Sequence, residues 1–277
     1  MGGAALRRAS GPLHPPYHTT TMPRPRKTPG SVRIPADVLA DLNAGTRQAA
    51  NLAEGLAVDF VALMAVAVPD VPEESHARLT VGKPSITQRM RIAGELLLEH
   101  VGLGGLDAVA AHPSDTVRGW AAYMIGLAPG LSLAERLTLV RPLADDPHFG
   151  VREWAWLPLR PHIAADVGRA IRQFEPWVHE ASASLRRFAV EATRPRGVWT
   201  EHITELKENP KLGLPLLKPL RADSTKYVQD SVSNWLNDAA KSKPDWVRDL
   251  VDGWADGCED RHTLRICRRA LRSVPGD

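Results

Sequence analysis

Cysteine is scarce in this chain: Cys258 and Cys267 are the only two among 277 residues. That excludes a disulfide scaffold and fits a reducing compartment, the cytoplasm. Aromatic residues make up 5%, and β-branched residues do not gather into regularly spaced short runs, so a β-sandwich or barrel is not expected. Long apolar runs are missing as well. The longest, Phe60 to Val68, is too short to span a bilayer. The basic start at Arg7 and Arg8 leads into Gly, Pro, His and Thr instead of a signal peptide's apolar stretch. Phosphate-loop, dinucleotide, zinc-protease, Cys-x-x-Cys and nucleophile-elbow motifs are all absent, and the ten histidines lack ligand spacing. No metal and no cofactor are therefore expected.

Acid is absent from residues 1–36, which carry Arg7, Arg8, Arg24, Arg26, Lys27 and Arg33. This Pro/Gly/Thr-rich opening reads as a disordered basic tail, with Met22 an alternative start. Residues 37–150 hold 8 basic and 14 acidic side chains, and residues 151–277 hold 21 and 18. The whole-chain charge of +3 is thus a cancellation, and the basic excess that bears on function lies in residues 151–277.

What the chain does have is helix upon helix. With 43% hydrophobic residues it can fill a sizeable core over 37–277. Leu52, Leu56, Asp59 and Leu63 share one helical face, and the run they lead into stops at Pro69. Ser85 is placed to cap a helix that ends at Gly102. A repeat follows: a polar turn, an aliphatic anchor, usually Arg, then aromatic or small residues. Its anchors are Val117, Val151, Leu185 and Val228, with a looser copy at Leu264. Such spacings belong to stacked helical pairs of roughly 40 residues, because one pair cannot bury its own apolar stripe. The expected fold is all-α, a HEAT-like helical repeat superhelix (α-solenoid).

Polar stripes run along the repeat helices. Ser231, Asn234 and Asp238 fall at i, i+3 and i+7, beside the apolar stripe of Val228, Val232, Trp235 and Ala239. Ser184, Arg187, Glu191 and Arg194 form a comparable face, and Arg196 and Trp199 follow Pro195. Glu153 sits between Arg152 and Trp154, with Trp156 beyond. Short polar side chains and arginines at a helix end suit close docking to phosphates. Capping, inter-repeat hydrogen bonds and carboxylate pairing account for the same residues without a ligand.

The stretch "LRRFAVEATRPRGVW", followed by "LKPLRADSTKYVQDSVSNWLNDAAKSKPDW", closely resembles the AlkC branch of the AlkC/AlkD-like DNA alkylation repair glycosylases. "LAEGLAVDFVALMAVAVPDVP" and "SITQRMRIAGELLLEHVG" extend the likeness over about residues 50–255. The resemblance implies a superhelix that holds duplex DNA and, without a cofactor, excises cationic N-alkylated bases such as 3-methyladenine. It puts Glu191 and Asp238 on the family's active-site acids, and Glu153 on a third acid by a weaker match. The three are expected to stabilise an oxocarbenium ion and position water. Trp154 or Trp156 is expected to contact base or sugar. Arg152, Arg187, Arg194, Arg196, Asn234 and Lys241 are expected to hold DNA. A cytoplasmic monomer on DNA, nucleoid-associated if bacterial, is the corresponding expectation, without a membrane partner.

The chain departs from the family pattern in places. Gln229-Asp230 replaces paired arginines, which removes positive charge near the DNA face. Gly197-Val198 and Trp235 replace Leu-Pro and His, and the β-sandwich domain of some members is not expected. The alternative reading is a non-enzymatic scaffold for DNA or a protein, and a third is a glycosylase for bulky adducts.

Overall fold

A computed structural model describes residues 34–274. The basic tail expected over 1–36 therefore lies outside the described residues up to Arg33, and the first helix begins at Ala36. The helices of eight or more residues are α1 (Ala36–Asn43), α2 (Phe60–Ala67), α3 (Ile86–His100), α4 (Asp115–Leu127), α5 (Leu133–Ala144), α6 (Phe149–Trp156), α7 (Val167–Phe174), α8 (Ala183–Ala192), α9 (Lys226–Ala240), α10 (Pro244–Ala255) and α11 (Arg261–Ala270). Among the described residues there is no strand, and no helix is long and apolar enough to cross a membrane. The fold is all-α, a HEAT-like helical repeat.

Local chemistry places the ends. Ser85 caps α3 in a reciprocal box with Gln88, and Ser132 does the same for α5 with Glu135. Gly102 closes α3 at φ 71°, the left-handed conformation that glycine adopts without penalty. One sequence expectation fails here. Leu52 to Leu63 is not one helical face, because the chain breaks at Val58 and Asp59. Asp59 turns its carboxylate onto the amides of Val61 and Ala62, so it caps α2 instead of lining a helix.

The helices α4, α6, α8, α9 and α11 follow one another in the stack, each packed on the next, with α3 against α4 at the start. The anchors Val117, Val151, Leu185 and Val228 are all buried, whereas Leu264, in the last copy, is half-buried. Gly94 lets α3 approach α4 closely: a β-carbon there would lie 2.6 Å from that of Tyr123.

The arginine after each anchor braces the turn before its own helix. Arg118 Nη1 donates to the carbonyls of His112 and Pro113, Arg152 Nη1 to those of Asp146 and Pro147, and Arg186 Nη1 to those of Glu180 and Ala181. Gln229 donates to the Asp223 carbonyl, the same offset of six residues. Arg118 also reaches forward to Asp146 of the next turn, at 2.8 and 3.1 Å, and Arg186 to Asp223, at 2.7 and 3.3 Å. These two-pronged pairs fix the pitch from repeat to repeat.

Candidate active site

One residue on from each bracing arginine, the helix has turned by about 100° and faces the other way. On α8, Arg186 serves the turn while Arg187 opens the stripe Arg187, Glu191, spaced by four residues, which Arg194 continues just past the helix end. Arg187 Nη2 lies 2.8 Å from Glu153 Oε1 on α6, and its Nη1 lies 3.1 Å from Glu191 Oε1. Arg194 bridges Glu191 at 3.0 Å and Asp238 on α9 at 2.7 Å. Lys241 ends the line, 3.0 Å from Asp238. Glu153, Arg187, Glu191, Arg194, Asp238 and Lys241 thus alternate in sign along three successive helices.

The centre of this line is dry and its ends are wet. The side chains of Glu191 and Asp238 are 2% and 5% exposed, against 38% for Glu153 and 44% for Lys241. Burial alone would lower the pKa of Arg187, yet the Glu191 and Glu153 carboxylates outweigh it and hold that guanidinium above the ordinary arginine value. Arg194 is likewise desolvated, and is raised by Glu191 and Asp238. Glu191 Oε1 is buried without a hydrogen bond of good angle, although Arg187 lies within ion-pair distance. A crevice of about 10 Å³ is lined by Glu153, Trp156, Ser184, Arg187, Glu191 and Tyr227. That is room for about one water and far too little for a purine.

All three sequence-predicted acids therefore join one network, but their setting differs from a basic groove. Arg187, Arg194 and Lys241 balance the three carboxylates, so the network carries no net charge. Arg152 is not part of it: its guanidinium braces its own turn and donates to the Tyr227 hydroxyl. Arg196 donates to the Asp238 carbonyl and to Ser242 Oγ. Asn234 accepts from Arg272 at 2.7 Å. Ser231 does not share an open face with Asn234 and Asp238; it is fully buried, because α8 and α11 both pack on α9.

The tryptophans divide. Trp156 is buried and donates its indole N–H to Glu153 Oε2 at 3.3 Å, so it orients an acid. Trp154 packs on the core and stacks against Trp199, with ring centroids 5.9 Å apart and planes at 19°. Trp199 is 37% exposed at φ 61°, beside the more exposed Val198. A left-handed φ is strained for a bulky residue and is kept only where its surroundings impose it. Beneath this loop Arg160 is buried without a carboxylate partner. It donates to the carbonyls of Ala192, Arg194 and Glu201. Desolvation first, and Arg194 second, push its pKa down to about 10. Gly197 keeps this turn tight: a β-carbon there would lie 2.3 Å from Thr200 Cγ2 and 3.0 Å from the Arg160 guanidinium.

Sequence reasoning missed Tyr227, whose ring lies 4.2 Å from the Arg187 guanidinium and whose hydroxyl is 3.5 Å from Glu153. A signal was present. The residue before the anchor is Thr116, Gly150, Ser184 and Thr263 in the other copies, and aromatic only at Tyr227. Arg160 and Arg272 carried no comparable mark.

No family model matches the chain. The uncharacterized protein YhaZ of Bacillus subtilis is 33% identical over 135 residues, 49% of this chain and 36% of YhaZ. Among solved structures, Pseudomonas fluorescens alkylpurine DNA glycosylase AlkC, bound to DNA containing an abasic site analog, superposes with a TM-score of 0.63 at 25% identity. The match covers 86% of this chain and 62% of AlkC. AlkD2 from Streptococcus mutans superposes at 0.52 with 22% identity, over 74% of this chain and 90% of AlkD2. The chain thus spans about a third of YhaZ and less than two thirds of AlkC.

Proposed function

We propose that this chain, an AlkC/AlkD-like helical-repeat protein, is a DNA glycosylase that hydrolyses the N-glycosidic bond of cationic N-alkylated bases in duplex DNA. Glu153, Glu191 and Asp238 supply the chemistry and no cofactor is required. The observation that carries the reading is the convergence of carboxylates from three successive repeat helices on one face, two of them buried.

A base with a formal positive charge is already a good leaving group, so bond breaking needs little protonation. Charge then develops on the sugar as an oxocarbenium ion. Fixed carboxylates in a dry setting stabilise that cation far better than water does. Asp238, held by Arg194 and Lys241, and Glu191, held by Arg187 and Arg194, are pre-oriented for this role. Glu153 is the most open of the three and is fixed by Trp156 and Arg187. It is placed to orient or deprotonate the attacking water, as a carboxylate does in glycoside hydrolysis. The crevice is too small for a base, so the lesion is met from outside it, and Val198 with Trp199 is an exposed apolar pair on the loop that follows Arg196. On this reading the protein acts as a monomer in the cytoplasm, on the nucleoid if bacterial.

One observation favours a second reading, a DNA-binding scaffold: every carboxylate of the network already has a cationic partner. Incubating the purified protein with methylated duplex DNA decides between them. Release of 3-methyladenine or 7-methylguanine, lost in Glu191→Gln and Asp238→Asn with DNA binding kept, is expected. No release of any alkylated base by the wild type overturns the glycosylase reading.

A further inference from the structure

The last repeat helix breaks the pattern of the others. Arg265 occupies the position that braces the turn in earlier copies, yet it donates to side chains of α9, Gln229 Oε1 at 3.1 Å and Asp230 Oδ1 at 2.5 Å. Arg269 joins the same Asp230 carboxylate at 3.3 Å. The positive charge missing from positions 229 and 230 is therefore delivered to that place by α11.

Arg261, Arg265 and Arg268 are spaced by four and three residues on one face of α11, with Arg269 beside them, and Arg272 continues the row in the turn just past the helix end. Arg261, Arg268 and Arg272 are exposed. Arg261, Arg265, Arg268 and Arg269 line an open hollow of about 510 Å³ together with His262. Among the described residues Asp230 is the one carboxylate within ion-pair distance of these five arginines. Beyond the bonds to Gln229, Asp230 and Asn234, the row adds little to the stability of the helix itself. Like charges at i, i+4 destabilise a helix by tenths of a kcal/mol each, and Arg261 stands at the first helical position, against the positive end of the helix dipole. Only Arg268 and Arg269, in the last turn, gain from that dipole.

The row also points at the site. Arg272 donates to Asn234, one helical turn before Asp238, and its pKa, lowered mainly by desolvation and Arg269, is raised in part by Asp238. A ten-residue helix is ~15 Å long, which matches the rise of about four phosphates on one strand of a duplex.

We propose that α11 is a phosphate-tracking helix, with Arg261, Arg268 and Arg272 contacting successive phosphates of one strand beside the Asp238 site. Arg265 and Arg269 are held at the same surface by Asp230. The inference rests on the DNA reading but not on the chemistry, since these side chains meet backbone and not the scissile nucleotide. Guanidinium groups suit this task because they match phosphate oxygens in pairs.

The test is the salt dependence of binding to an undamaged duplex, measured by fluorescence anisotropy on the full chain. Removing one arginine–phosphate pair lowers the slope of log K against log salt by ~0.9. The triple variant Arg261→Ala, Arg268→Ala, Arg272→Ala is expected to lower it by ~2.7, with circular dichroism showing the helices kept. Asp230→Asn, which frees two arginines, is expected to tighten binding and steepen the slope. An unchanged slope in the triple variant overturns the proposal. Should the wild type excise nothing while the slope still drops, the phosphate helix stands and the glycosylase reading falls.

Discussion

Two ionic systems share the same helices in this protein, and they are built oppositely. On the turn side, Arg118 with Asp146 and Arg186 with Asp223 are two-pronged pairs whose remaining donors go to backbone carbonyls. Each pair is closed, and Arg118 and Asp146 are both 8% exposed. On the other side, the line from Glu153 to Lys241 is open at both ends, and Glu191 keeps an oxygen without a hydrogen bond. Arg186 and Arg187 are sequence neighbours that belong one to each system. The difference separates holding the stack together from holding charge where a reaction can use it.

Breaking the turn side should cost the most in stability. Arg118→Ala leaves Asp146 buried without its partner, and loss of about 3–5 kcal/mol of unfolding free energy is expected. Denaturant titration measures it, and the release rate per folded molecule should be unchanged. On the site side the loss should fall on chemistry. Asp238→Asn keeps the shape and one acceptor oxygen but removes the charge, and single-turnover release is expected to slow by about 10²–10³-fold. Trp156→Phe deletes the indole hydrogen bond that orients Glu153. A loss of about 0.5–1.5 kcal/mol in stability is expected from that bond, with a several-fold slower release and an unchanged affinity for undamaged DNA. The smallest effect belongs to the open end: Lys241→Ala removes a half-exposed partner of Asp238, about 0.2–1 kcal/mol by denaturant titration, and less at high salt.

The sequence is legible wherever structure depends on neighbours a few residues apart. The anchors Val117, Val151, Leu185 and Val228 carried their own signal, as did the Ser85 cap and the stop at Gly102. The three acids were readable through the resemblance of the segments that carry them, Glu191 and Asp238 by close motifs and Glu153 by a weaker match, since they lie two, six and ten residues past their anchors. What was not readable depends on partners far along the chain. Arg152 and Arg187 look alike in sequence, but a rotation of about 100° separates them, and only the fold shows that Arg152 braces its own turn. Ser231 fits an open polar stripe until α11, 30 or more residues downstream, covers it. Asp230 reads as lost positive charge, because Arg265 is 35 residues away. Leu52 to Leu63 failed for a local reason: an aspartate at helical spacing caps more readily than it continues a helix.

The central claim is that these two neighbouring systems do separable work. Unfolding free energy and single-turnover base release, measured together on Arg118→Ala and Glu191→Gln, test it most directly. Arg118→Ala should lose stability and keep its rate per folded molecule, while Glu191→Gln, which also leaves buried Arg187 and Arg194 short of a carboxylate, should lose release from the molecules that remain folded. A Glu191→Gln protein that releases alkylated bases at the wild-type rate would contradict the account.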